Sequence, residues 1–346
     1  MSTAKIFIDP TSRILYASYY ILGLYEVFNQ KNVVFNKSYF TDLKRNMELF
    51  SFNHFFAFVH IENEIVTRFV IDFCDSNDIS QEAYDWCDVY AKINYNRPEE
   101  DVFKKKIILI PPSFGIKIWS LTTTLKNAIS NFIVSNKVIP TSKREFFKDY
   151  WSQFRRLPLS QYCNKTNSDP DYVFMLGTLW QQNDEVKNTN VFRTTFIKSC
   201  LANKKIVFEG GLVANETLQK QNANINDVFS KKYSLSQYIS NTKRSGFVFN
   251  TPAVHECHGW KLAEFLALGK TILSTPLSNE LTAPLRHGKE IHIIDDISQM
   301  NSDIAYLHEN QTYSLMLAAG AKKYFKEHAT PAIVIKSILK KANICL

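Results

Sequence analysis

The stretch Phe247-Val-Phe-Asn-Thr-Pro-Ala-Val-His-Glu256-Cys-His-Gly259-Trp-Lys261-Leu-Ala-Glu264-Phe-Leu-Ala-Leu-Gly269-Lys270-Thr-Ile-Leu-Ser274 decides how the chain is read. A strand ends in a polar loop carrying a lone carboxylate, Glu256, and Gly259 then opens an apolar helix that leads into a second strand. The start of such a helix offers unpaired backbone N–H groups and the positive end of the helix dipole, which suit a phosphate. Glu256 and Glu264 stand eight positions apart and can bracket one polyhydroxylated ligand, because carboxylates accept paired hydrogen bonds from sugar hydroxyls. Lys261, on the first turn, can aim an ammonium at the same phosphate.

Around this stretch runs a repeated rhythm. Upstream come a strand at Tyr172 to Leu176, a helix at Val191 to Leu201, a strand at Lys205 to Phe208, a Glu209-Gly210-Gly211 turn, and a helix around Leu235 to Ile239. Downstream come strands at Thr271 to Ser274 and Ile291 to Ile294, then a tail that is mostly helical by period. The N-terminal half alternates in the same way. Its apolar runs are Lys5 to Ile8, Asn32 to Phe35, Phe55 to Ile61, Val66 to Asp72 and Lys106 to Ile110, with a helical stretch from Tyr16 to Phe28. This alternation implies α/β layers on largely parallel sheets. Asp9, His60, Asp72 and Pro111-Pro112-Ser113 follow strands, at the edge where open α/β sheets place ligands. The pattern breaks between about 139 and 171. The chain therefore divides into a Rossmann-like domain at 1–150, a linker at 151–171, a second Rossmann-like domain at 172–330, and a final helix at 331–346 expected to pack back on the first domain.

Composition narrows the classes. The chain has 346 residues, 45% hydrophobic, 14% aromatic and 21% charged, which excludes a disordered protein. A net charge of +8 attracts anions without choosing among nucleic acid, anionic lipid and phosphorylated small molecules. No apolar run reaches the length of a membrane span and no signal core opens the chain, so a cytoplasmic protein is expected. The six cysteines show no C-x-x-C spacing and read as reduced, buried thiols.

Glu256 and Glu264, with Gly259 between them and Gly269-Lys270-Thr271-Ile272 after the helix, resemble the C-terminal signature of retaining GT-B glycosyltransferases of the EX7E type. Arg286-His287-Gly288-Lys289-Glu290-Ile291 is similar to the element before that group's last strand, and the wider stretch resembles glycosyltransferases of bacterial surface-polysaccharide clusters. The resemblance covers about 172 to 335 by motif and order. It implies an α/β GT-B fold, two Rossmann-like domains facing across a cleft, the first for the acceptor and the second for the nucleotide sugar. It implies that Glu264 binds ribose hydroxyls, Glu256 contacts the transferred sugar, and backbone around Gly259 meets the diphosphate. The group's basic pair after the first strand of this domain is replaced by Gly177-Thr178-Leu179-Trp180, with Lys187 and Arg193 further on, so Lys261 stands in as the phosphate clamp. His258, Gly177, Thr178, Arg193, Lys187, Gly210, Tyr233, Asn250 and Thr251 complete the expected donor site.

Asp72 and Asp75, after a strand, are placed either to meet an acceptor hydroxyl as a base or simply to cap the helix that follows. No metal or cofactor is required: His255-Glu256-Cys257-His258 is not H-E-x-x-H, and Asp169-Pro170-Asp171 precedes a strand where metal-holding D-x-D motifs follow one. Gly269-Lys270-Thr271 imitates a P-loop, yet Glu264 stands where the first glycine should be. The expected partners are a nucleotide-sugar donor, a glycan or lipid-linked acceptor and an anionic membrane face, without nucleic acid. The competing readings are a nucleotide-sugar epimerase of the same fold and a basic polyanion-binding protein; scattered basic residues without a nucleic-acid motif weigh against the latter.

Overall fold

The computed structural model describes residues 4–45, 55–96, 98, 102–139, 141–164, 167–183, 186 and 188–344. The chain divides into two compact units, one of Met1–Gln161, Glu280–Thr282 and Glu327–Leu346, the other of Tyr162–Asn279 and Ala283–Lys326.

The first unit begins β1 (Lys5–Ile8), α1 (Ile14–Phe28), β2 (Val33–Phe35), β3 (Phe55–Glu62) and β4 (Ile65–Asp72). It continues with α2 (Gln81–Trp86), β5 (Val89–Lys92), β6 (Ile107–Leu109), α3 (Leu121–Ser135), α4 (Lys143–Phe154) and α5 (Leu159–Cys163), whose last residues pass into the second unit. Among the described residues its six strands form one sheet in the order β2-β1-β3-β4-β5-β6. All neighbours are parallel except that β3 runs against both β1 and β4. The cause is the turn at Asn63 and Glu64, both with positive φ (50° and 65°), the mirror-image geometry of a two-residue hairpin. This corrects the expectation for His60. With β3 reversed, His60 pairs with Ile6 at the start of β1, so it lies at the edge opposite Asp9 and Asp72. The stretch expected as a linker holds the end of α4 and all of α5.

The second unit contains β7 (Tyr172–Thr178), α6 (Thr189–Ala202), β8 (Val207–Val213), α7 (Glu216–Gln221), α8 (Leu235–Arg244), β9 (Phe247–Asn250), α9 (Trp260–Leu268), β10 (Thr271–Ser274), β11 (His292–Ile293), α10 (Met300–Glu309) and α11 (Gln311–Tyr324). β7 pairs with β8, and β9, β10 and β11 pair in turn, every pair parallel. The two groups adjoin where Gly246 N donates to the Tyr172 carbonyl at 2.7 Å. A Rossmann-like α/β layer results, with α6 laid on it so that Phe196 stacks on Phe249 at 4.4 Å. β8 runs through Gly210 and Gly211, which the sequence reading assigns to a turn after the strand. A Cβ on Gly210 would stand 2.0 Å from the Met175 carbonyl oxygen, so glycine is what lets β8 pair this closely with β7 at its φ of +106°.

The chain's last helix, α12 (Pro331–Lys341), belongs to the first unit and lies along α1. A Cβ on Gly23 would be 2.4 Å from the Pro331 carbonyl oxygen and 2.7 Å from Ile335 Cγ1, so the close approach of the two helices depends on this glycine. Gly23→Ala is expected to lower stability by ~1–3 kcal/mol through overpacking. Urea unfolding checks this, and an unchanged midpoint would mean that α12 does not seat on α1.

Candidate functional site

Leu176 and Thr178 end β7 two residues apart, so their carbonyls share one edge of the strand, the edge on which Tyr172 receives Gly246. At the strand's end these carbonyls are met by side-chain cations. Lys261 Nζ donates to the Leu176 oxygen, and Arg193 Nη1 donates to the Thr178 oxygen at 2.8 Å. Arg193 is buried, its Cδ 3.5 Å from where a Gly177 Cβ would be. Lys261 is partly exposed as a residue, but its ammonium is enclosed. Burial pushes Lys261 from its ordinary 10.5 down to about 7, the Arg193 charge pushes the same way, and Glu264 opposes both. Burial also lowers Arg193, to about 10. Two enclosed cations, the arginine lowering the lysine's hold on its proton, make a site that gains from an anion.

Gly259 caps the start of α9 in extended conformation, and no side chain caps the helix there. The helix from Leu262 to Leu268 is wholly buried, Glu264 with it at 3% exposure, and Tyr238 OH donates to Glu264 Oε2 at 2.9 Å. Glu256 closes a short turn in which both it and His255 have φ of +56°. Asn279 clamps this turn: its Nδ2 donates to the Glu256 carbonyl at 2.9 Å, and its own carbonyl accepts from buried His258 Nε2 at 3.0 Å. Asn279 was not legible in the sequence, because it stands in a loop without a motif and acts across more than twenty residues.

Asn250 ends β9 buried, its Nδ2 on Ser274 Oγ at 2.9 Å, and Thr251 Oγ1 accepts from Thr275 Oγ1 at 3.1 Å. Gly210 lies inside β8 rather than in a loop, for the steric reason given above. Tyr233 OH donates to Glu209 Oε1 at 3.0 Å and its ring meets Phe174 edge-on. Glu209 also receives Tyr172 OH at 2.6 Å and Asn241 Nδ2 at 3.1 Å, and these hydrogen bonds hold its carboxyl below the usual range. Lys187 lies outside the described residues. A cavity of about 550 Å³ opens between α6, α7 and the residues after β7, lined by Trp180, Gln181, Asn190, Thr194 and Gln221 among others. Among the described residues, none of the expected site residues lines it. The space beside Lys261, bounded by Leu176, Tyr238 and Phe265, is only about 10 Å³.

Asp72 is not placed to act as a base. It is buried at the end of β4, Oδ1 accepts from Cys74 N at 2.7 Å, and Oδ2 accepts from Tyr90 OH at 2.5 Å and Lys92 Nζ at 3.0 Å. Its charge is committed to joining β4 to β5. Asp75, beyond the strand, is exposed. Asp72→Ala is expected to cost ~3–5 kcal/mol by leaving the Lys92 ammonium buried and unpaired. Chemical denaturation reads this, and a loss of less than ~1 kcal/mol, the size of an exposed pair, would overturn the assignment.

Among the described residues no group of three or more His, Cys, Asp or Glu could hold a metal ion, and no helix is long and apolar enough to cross a membrane. No family model matches the chain, and no curated protein does. Solved structures overlap with it. TarM of S. aureus aligns over 83% of this chain and 64% of its own, at 13% identity and a TM-score of 0.41. A glycosyltransferase from Rickettsia africae aligns over 76% and 66%, at 9% identity and 0.42. WaaG, a glycosyltransferase involved in lipopolysaccharide biosynthesis, aligns over 78% and 85%, at 9% identity and 0.39. The chain thus spans just under two thirds of the first two proteins. Scores this low give the likeness no weight of its own, and the functional reading rests on the residues described above.

Proposed function

We propose that the chain is a GT-B glycosyltransferase, of retaining and hexosyltransferase type, that moves a sugar from a nucleoside-diphosphate donor to a hydroxyl of a glycan or lipid-linked acceptor in bacterial surface-polysaccharide synthesis. The observation that carries this reading is the pair of enclosed cations, Lys261 and Arg193, at the end of β7 beside the start of α9.

In this reading the diphosphate replaces the strand carbonyls as partner of the two cations. Lys261 is latched to the Leu176 oxygen with little free space around it, so binding draws the ammonium off that carbonyl and onto phosphate oxygens. As the sugar–phosphate bond breaks, negative charge grows on the leaving diphosphate, and the two cations and the N-terminus of α9 stabilise it. Glu264 accepts ribose hydroxyls, with Tyr238 fixing one of its oxygens. Glu256 contacts the transferred sugar on a turn that Asn279 and His258 hold in shape. Asp75 is the acceptor-side carboxylate that remains once Asp72 is assigned to structure.

The lowered pKa of Lys261 fixes the sign of the pH dependence. Above pH about 7 the free site sheds its proton, and a diphosphate recruits it back. Binding of a nucleoside diphosphate at pH 8 is expected to take up close to one proton, and affinity is expected to fall as pH rises from about 7. Calorimetry in buffers of different ionisation enthalpy measures the uptake. Lys261→Met should abolish it; uptake that survives the substitution would take the lysine out of the site. The ligand-free protein shows the converse. Its folded lysine binds its proton less tightly than the unfolded one, so this group adds stability as pH climbs from about 7 toward 10.5.

The carboxylates separate by what each binds. Glu264→Gln is expected to weaken the bare nucleotide by ~1–3 kcal/mol, the range for charged hydrogen bonds. Glu256→Ala should leave that affinity intact and lower turnover ~100-fold or more. Competition binding alongside initial rates with UDP-, GDP- and CMP-sugars decides both. Normal turnover by the Glu256 variant would reduce that residue to a loop position.

A further inference from the structure

Helix α3 carries its apolar side outward. Its buried positions are Thr124, Ala128, Asn131 and Ser135, whereas Leu121, Leu125, Ile129 and Ile133 are 43%, 50%, 54% and 66% exposed. Spaced by four, these four side chains form one stripe along the helix, the reverse of what a surface helix needs if packing is its only task. α4 extends the stripe. Phe147 and Trp151, one turn apart, are 39% and 48% exposed, and Phe132 of α3 meets Phe147 with ring centroids 5.1 Å apart, so the two helices present one continuous apolar patch.

Cations surround that patch. Lys143, Arg144, Lys148 and Arg155 are exposed on α4 and at its end, interleaved with the two aromatics, and Lys126 borders the stripe on α3. The Lys143 ammonium lies 5.8 Å from the Phe132 ring. Residues 117–156 hold eight lysines and arginines against two acidic residues, in a chain whose whole net charge is +8. Of those two, Asp149 is buried, accepting from Leu15 N at 3.0 Å, and Glu145 is paired with Lys148 at 3.2 Å. A rim with this excess of positive charge around exposed Leu, Ile, Phe and Trp complements a surface of anionic headgroups over acyl chains. A second copy of the chain in a two-fold pair would set the same basic rim against itself.

We infer that the α3–α4 face docks on an anionic bilayer, its apolar stripe entering the boundary between headgroups and acyl chains while the lysines and arginines meet lipid phosphates. The face gives the glycosyl-transfer reading a place where a lipid-linked acceptor is met, and it rests on that reading for nothing else.

The test is sedimentation of the full chain, without donor, with vesicles of phosphatidylcholine alone and of phosphatidylcholine with phosphatidylglycerol, at moderate salt. The wild-type chain is expected to pellet with the anionic vesicles and weakly with the neutral ones. Ile129→Ser/Ile133→Ser and Trp151→Ala, all at exposed positions, should each lose affinity by about tenfold or more while melting like the wild type. Lys143→Gln/Arg144→Gln should lose both affinity and its salt dependence. Wild-type absence from both pellets overturns the proposal, as do serine variants that bind like wild type. So does a wild-type dimer in lipid-free ultracentrifugation that the serine variants dissolve, which would give the face to a second copy. A chain that binds vesicles but no nucleoside diphosphate loses the transferase reading and keeps this one; the opposite result does the reverse.

Discussion

The two positive charges held at the end of β7 organise what surrounds them. An enclosed ammonium and guanidinium each need an acceptor, and the end of β7 supplies one carbonyl apiece at Leu176 and Thr178. That requires the strand to run past β9, with Gly177 slim enough for Arg193 to lie against it. It also requires α9 to start where it does, since Lys261 reaches β7 only from the helix's first turn. The carboxylate of Glu264, on the same helix, eases the lysine's charge without removing it.

The first unit handles charge in the opposite way. Asp72 and Lys92 are both buried, but they face each other across β4 and β5, with Tyr90 and the Cys74 amide filling the remaining acceptor positions. A buried pair satisfied on this scale holds strands in register and leaves little for chemistry. Burial alone therefore does not mark a functional charge. What separates Lys261 from Lys92 is the company each keeps: Lys92 is paired directly with Asp72, whereas Lys261 bonds a carbonyl and lies near Arg193 as well as Glu264.

The sequence made the second unit legible where signals were local. The strand, glycine and helix around 247 to 274 could be read because apolar period, loop polarity and glycine position agree within one short stretch. The first unit was harder. β5 spans only Val89–Lys92 and ends in a lysine, so nothing in its composition announces a buried central strand; its partner Asp72 is far away in the chain. The reversal of β3 hinges on Asn63-Glu64, a turn without the glycine that would have signalled a hairpin. Gly210 and Gly211 look like a turn to any local rule, and the close approach of the Met175 carbonyl to one and the Val228 carbonyl to the other, which calls for glycine inside the strand, is a tertiary fact. The roles of Asn279 and Glu209 arise from partners assembled by folding. The inverted face of α3 was present in the spacing of its leucines and isoleucines, but which side turns to water is a tertiary fact.

The seat of α12 on α1 has a consequence for how the protein is made. About three hundred residues separate α1 from α12, so α1 leaves the ribosome long before its partner exists. At synthesis rates of about 5–20 residues per second, that interval is tens of seconds. During it the second unit, whose strands and helices are complete by Lys326, can close while the first stays open along α1. The first unit's unfinished flank along α1 is then the surface a chaperone would meet.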